Sequence, residues 1–99
     1  MVFLPLPSLA SRTRTTNPAA FCIALVEADF RYVEYAKLPG PFPVYLFDGP
    51  HDAIDQYYGL KLALPALADQ FVFIVDDWNW ARVRDGTLAA IPRCDLTVL

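Results

Sequence analysis

Phe71-Val72-Phe73-Ile74-Val75-Asp76-Asp77-Trp78-Asn79-Trp80 decides the reading of the fold. Five consecutive apolar residues mark a strand buried on both faces, and the run delivers two adjacent carboxylates and two indoles at its end. Val44-Tyr45-Leu46-Phe47-Asp48-Gly49-Pro50-His51-Asp52 repeats the pattern. Two such strands, each followed by acids and a helix-like segment, describe parallel strands joined by right-handed βαβ crossovers. In sheets of this kind ligands bind outside the carboxyl ends of the strands.

Working outward, residues 23–30 (Ile-Ala-Leu-Val-Glu-Ala-Asp-Phe) read as an earlier strand, and residues 33–38 as a single helical turn. Pro39-Gly40-Pro41-Phe42-Pro43 stops any element there, because proline fixes φ and lacks a donor. A helix is expected over residues 52–68, with Asp52 as N-cap, Asp55 in the first turn, and Ile54, Tyr58 and Leu62 on one face that Tyr57, Leu60, Leu64 and Leu67 extend, so that it is apolar around much of its circumference. Pro65 should kink that helix or end it near Leu64. A second helix is expected over residues 80–91, capped by Asp77 or Asn79 and stopped by Pro92. Residues 95–99 read as a fourth strand. Residues 1–20 contain three prolines and a Ser/Thr/Arg/Asn cluster without periodicity, so they read as a loosely ordered leader before a folded unit at 21–99.

Composition narrows the function classes. A chain of 99 residues makes one small domain that buries only roughly 60 to 65% of its unfolded surface. With 56% of the chain hydrophobic and 14% aromatic, polar surface is scarce, which calls for association with a partner or with a missing remainder. Residues 21–99 hold six basic and eleven acidic residues, a balance of −5, and no basic stripe is interleaved with aromatics. A nucleic-acid phosphate-binding face is therefore not expected. Cys22 and Cys94 are too few and too isolated for a disulfide framework or a zinc site and read as free thiols of a reducing compartment. The apolar opening lacks the basic flank of a signal peptide, and no apolar run approaches the roughly 20 residues that span a bilayer. A cytoplasmic chain without membrane contact is the expectation.

Asp48, Asp76 and Asp77 should meet at the ends of two neighbouring strands. Three such carboxylates repel one another unless a cation sits among them, and oxygen-only donors suit magnesium, calcium or manganese. Capping of the following helices is the competing role. His51, the single histidine, stands where a general base near neutral pH could act, or where it merely packs at a helix start. Trp78 and Trp80 offer walls for an apolar substrate, or a staple for the second helix. The strand-then-Asp-Asp pattern also imitates the magnesium strand of nucleotide triphosphatases, but no Gly-x-x-x-x-Gly-Lys-Ser/Thr is present to cradle phosphate.

Glu27-Ala28-Asp29-Phe30, Phe47-Asp48-Gly49-Pro50-His51, Val75-Asp76-Asp77-Trp78-Asn79-Trp80 and Val83-Arg84-Asp85-Gly86-Thr87, in this order and spacing, resemble class I S-adenosylmethionine-dependent methyltransferases, in particular the macrocin O-methyltransferase-like group acting on small molecules. The resemblance covers residues 23–99. It implies that Asp29 and Asp48 face S-adenosylmethionine, that the turn carrying His51 faces the methionine end and the substrate, and that Asp48, Asp76 and Asp77 hold Mg2+. The family's glycine-rich cofactor turn has no counterpart, since residues 1–22 contain no glycine.

The expected fold is thus α/β: a truncated, Rossmann-like three-layer parallel sheet of about four strands with two main helices, its outer strands sliding inward and the chain dimerising to cover bare edges. The expected function is a partial methyltransferase-like domain, inactive as an isolated chain, that keeps the acceptor and metal half of the site. The alternatives are a stand-alone dimeric module whose acidic, Trp-lined pocket binds a cation or small ligand, and a complete small methyltransferase with a divergent cofactor loop.

Overall fold

A computed structural model describes residues 2–5 and 23–99. Four strands and two α-helices follow one another: β1 (Val2–Pro5), β2 (Ile23–Val26), β3 (Phe42–Phe47), α1 (Ala53–Ala63), β4 (Leu67–Val75) and α2 (Ala81–Arg93), with short 3-10 turns at Phe30–Tyr32, Tyr35–Lys37 and Leu64–Ala66.

The β3–α1–β4 unit forms in the predicted order, with α1 ended at Ala63 ahead of Pro65, but both strands start earlier than expected: β4 at Leu67 rather than Phe71, and β3 at Phe42, inside the proline-rich segment read as a stop. β3 and β4 pair in parallel, with Val44 opposite Val72, Tyr45 opposite Phe73, Leu46 opposite Ile74 and Phe47 opposite Val75. The register shifts between Phe42 and Val44, where Pro43 has no N–H to give the ladder. Alternation sends Tyr45, Phe47 and Phe73 to one face, where Phe30, Tyr35, Phe42, Ala63 and Ala66 complete the core. The Tyr45 and Phe73 rings stack at 5.3 Å, and Phe30 meets Phe47 edge-on at 5.1 Å.

Glycine sets how closely α1 lies on β3. A Cβ at Gly59 would fall 2.5 Å from the Phe47 ring, and so would one at Gly49, so the ring lies against bare backbone at both positions. Beside it the buried Tyr45 hydroxyl donates to the Gly59 carbonyl at 2.7 Å. The face that α1 buries is therefore Asp55, Gln56, Gly59, Leu60 and Ala63. Ile54, Tyr58 and Leu62 were expected to seat the helix, but Ile54 and Tyr58 are exposed, because only the glycine-bearing stripe can approach so near. α2 packs on α1 through Gly86, whose Cβ would clash with the Ala53 carbonyl oxygen, and buries Val83 and Ala90.

Beyond this unit several expectations are corrected. Ile23–Val26 pairs with Val2–Pro5 in an antiparallel ribbon instead of joining a four-stranded parallel sheet, so the inward slide of the outer strands does not occur among the described residues. Val2–Pro5, read as leader, is a strand; the other leader residues, with Cys22, lie outside the described residues. The strand expected to reach Phe30 ends sooner, because the Asp29 carboxylate accepts from the Arg31 amide and caps a 3-10 turn. Residues 95–99 form no strand. There the Asp95 amide donates to the Pro92 carbonyl and the Leu96 amide to the Ile91 carbonyl, with Asp95 at φ 55°, a Schellman closure that commits these residues to ending α2. Pro92 lies inside the last turn of α2 rather than beyond its end, and its ring removes one ladder bond. Neither Asp77 nor Asn79 caps α2; Trp80 takes that position without a side-chain bond, and Asp52 caps α1 only by position.

The helices lie on one side of the parallel pair. Val44, Leu46, Val72 and Ile74 on the other side are 45 to 58% exposed, giving two layers where three were expected. No helix among the described residues is long and apolar enough to cross a membrane.

Gly59→Ala and Gly86→Ala test this packing. Alanine in place of glycine inside a helix gains about 1 kcal/mol by propensity alone. Overpacking against Phe47 or the Ala53 carbonyl should instead make each variant about 1–3 kcal/mol less stable, read from urea-melt midpoints at constant slope. A stabilised Gly59→Ala would contradict the close contact.

Candidate functional site

The pairing of β3 with β4 brings the acids together. Phe47 and Val75 are the last paired residues, and the Asp76 amide extends the ladder by donating to the Phe47 carbonyl at 3.3 Å. Asp48 and Asp76 therefore leave the sheet side by side. Asp77 takes a left-handed conformation, φ 58°, which Asp tolerates better than most residues. Oxygens of Asp48, Asp76 and Asp77 all lie within 4.8 Å of one another.

Their mutual repulsion is visible in Asp48. The Asp76 charge, followed by desolvation and the Asp77 charge, holds the Asp48 carboxyl above its ordinary value, while His51 acts weakly in the other direction. Three carboxylate oxygens at this spacing form a hard donor set that fits a divalent cation, which would relieve the repulsion.

His51 sits at the rim. Its Nε2 lies 2.7 Å from Asp77 Oδ2, and its ring is 4.6 Å from the Trp80 ring, tilted by 43°. Asp77 thus has two neighbours to serve, the acid group and the imidazole. Trp80 therefore stands beside His51 at the edge of the acid group. Trp78 is 43% exposed and forms no aromatic pair among the described residues; its carbonyl accepts from Arg84 Nη1 at 2.9 Å.

Asp29 stands apart from the three acids but shares an open cleft of roughly 200 Å3 with Asp48, lined also by Phe30, Arg31, Gly49 and Pro50. Its carboxylate accepts from the Arg31 backbone amide at 2.9 Å and from Arg31 Nη1 at 3.1 Å, and these bonds hold its pKa below the usual carboxylate value. Arg31 also pairs with Asp55 in the first turn of α1.

Three residues that the sequence did not single out shape the site. Arg31 ties the Asp29 turn to α1. Gln56 Nε2 donates to the Pro50 carbonyl at 2.6 Å and so holds the loop between Asp48 and His51. Arg82 reaches from α2 to Asp52 at 3.3 Å. The only hint of Arg31 and Gln56 in the sequence is spacing: Asp55 and Gln56 fall in register with Gly59, Leu60 and Ala63, a polar start to a buried stripe.

No family model, curated protein or solved structure matches this chain.

The raised Asp48 carboxyl makes the folded state bind protons more readily there than the unfolded chain does. Its contribution to stability is present at low pH and is lost as pH rises from the unfolded value through the folded one. Carboxyl-carbon NMR should find Asp48 titrating above the ordinary aspartate range. Asp76→Asn should bring it back down by removing the leading cause, and an unchanged midpoint in that variant would refute the pairing.

Proposed function

We propose that this chain is the acceptor and cation-binding half of a methyltransferase-like site, a truncated Rossmann-like unit that is inactive as an isolated chain. The observation that carries this reading is the meeting of Asp48, Asp76 and Asp77 within 4.8 Å at the carboxyl ends of two paired parallel strands, with His51 2.7 Å from Asp77. This is where open α/β sheets bind ligands.

Asp48, Asp76 and Asp77 would hold Mg2+, which supplies Lewis-acid polarisation of an acceptor hydroxyl. The residues do the rest. Asp77 Oδ2 accepts a hydrogen bond from His51 Nε2–H and holds the imidazole at the rim of the acid group, which leaves Nδ1 as the nitrogen that would take an acceptor proton. The Trp80 ring, 4.6 Å away, gives the imidazole an aromatic neighbour. Asp29 and Asp48 border the side on which S-adenosylmethionine would lie, with Trp78 and Trp80 toward the substrate. The cleft between Asp29 and Asp48, roughly 200 Å3, is smaller than the roughly 300–1,000 Å3 of small-molecule pockets, which supports an incomplete cofactor site. That same shortfall favours a second reading, a small stand-alone dimeric binding module whose acidic, Trp-lined pocket takes a cation or a small ligand without any methyl transfer.

Calorimetry and thermal melts separate these readings from a site without function. Millimolar Mg2+ should raise the melting temperature by several degrees, the effect expected of a ligand present far above its Kd. Asp76→Asn with Asp77→Asn should abolish the rise. An unchanged response in that double variant would sink the metal assignment. S-adenosylmethionine should give no heat of binding at micromolar concentrations; tight binding would show that the cofactor half is present after all.

A further inference from the structure

We propose that the outward face of the β3–β4 pair is a docking surface for an amphipathic helix of a partner protein, one that places a Lys or Arg at the end of its apolar stripe beside Asp48 and Asp76.

Val44 opposite Val72 and Leu46 opposite Ile74 form a two-by-two block of aliphatic side chains, exposed by 50, 58, 58 and 45% in the order Val44, Leu46, Val72, Ile74. Parallel strands occur almost only in sheets covered on both faces, and here, among the described residues, α1 and the aromatic core cover one alone. The residues themselves match that rule. Solvent-facing strand positions ordinarily carry polar side chains, whereas these four are as apolar as the buried ones behind them.

The shape of the block selects the occupant. Two strands lie about 4.8 Å apart, a width that a single helix of roughly 10 Å diameter covers, while a second sheet would overhang it on both sides. A homodimer through this face is too small: four half-exposed side chains fall well short of the roughly 800 Å2 that each partner contributes to a stable interface. One helix laid along the strands engages all four side chains through residues spaced three and four apart.

Charge sets the polarity of the partner. The strand alternation that exposes Val44 and Leu46 continues to Asp48, and that exposing Val72 and Ile74 continues to Asp76, so the apolar block ends in two exposed carboxylates. Residues 23–99 hold six basic and eleven acidic residues, so the surrounding field also favours a cationic ligand. A Lys or Arg flanking the apolar stripe meets complementary charge at that end, and an acidic helix meets repulsion. This inference stands on the sheet face and does not require that a cation bind.

The test uses two synthetic amphipathic helices of equal length, one of Leu and Lys and one of Leu and Glu, titrated into the full chain under amide NMR. The Leu/Lys peptide should shift the Val44, Leu46, Val72 and Ile74 amides saturably, with a Kd on the order of 10 μM as befits a small interface. The Leu/Glu peptide should bind at least tenfold more weakly. Leu46→Ser with Ile74→Ser should weaken the Leu/Lys peptide at least tenfold; Val44→Thr with Val72→Thr, nearly isosteric, should do the same and guards against loss of folding in the first pair. Binding of the Leu/Lys peptide to either double variant as tight as to the unsubstituted chain, or shifts confined to the α1–α2 surface, would overturn the proposal. So would a free chain that sediments as a dimer and becomes monomeric in either double variant, because the face would then belong to a second copy.

Discussion

The seating of the Phe47 ring against Gly49 and Gly59 is the contact on which the rest depends. Phe47 is the last paired residue of β3, Gly49 belongs to the turn that carries Asp48 to His51, and Gly59 is the middle of α1. One ring therefore fixes the strand end, the loop and the helix relative to one another. Tyr45 reinforces it, since its buried hydroxyl can reach the Gly59 carbonyl only while no side chain intervenes. Burial pushes the Tyr45 phenol well above its ordinary pKa, so it remains a neutral donor across the pH range of a folded protein. With the helix seated, Gln56 reaches the Pro50 carbonyl and holds the loop that presents Asp48 and His51, while Asp55 pairs with Arg31 and holds the turn at Phe30–Tyr32.

The central unit was legible in the sequence because its signals are local. Apolar runs at 44–47 and 71–75, each ending in acids, specify two parallel strands and place three carboxylates together without reference to anything else in the chain. The helix between them was legible in extent but not in orientation. Ile54, Tyr58 and Leu62 are the obvious apolar face, and hydrophobicity alone cannot know that a ring on β3 needs two glycines opposite it. The flanks failed for a different reason. Residues 23–30 and 95–99 carry strand-like composition, yet a carboxylate capping a turn at Asp29 and a left-handed Asp95 closing α2 are single hydrogen-bonding choices that outweigh weak β propensity.

The same geometry explains why the site is electrostatically unsettled. The ladder forces Asp48 and Asp76 to leave the sheet as neighbours, and the turn at Asp77 adds a third carboxylate, whereas the arginines nearby are engaged elsewhere: Arg31 with Asp29 and Asp55, Arg82 with Asp52, Arg84 with the Trp78 carbonyl. The acids are thus left with His51 as their one cationic candidate among the contacts described. A divalent cation is the simplest resolution of that imbalance, and the exposed aliphatic block beside the acids is the second unresolved surface of the same sheet.

Paramagnetic broadening by Mn2+ tests the central claim most directly, because it maps a bound cation onto individual amides rather than onto overall stability. Substoichiometric Mn2+ should erase the amide signals of Asp48, His51, Asp76 and Asp77 first, leave those of Gly86 and Ala90 on α2 sharp, and lose its effect when excess Mg2+ is added. Broadening spread evenly over the acidic residues of the chain, Asp69 and Asp85 included, would show that the ends of β3 and β4 form no cation site.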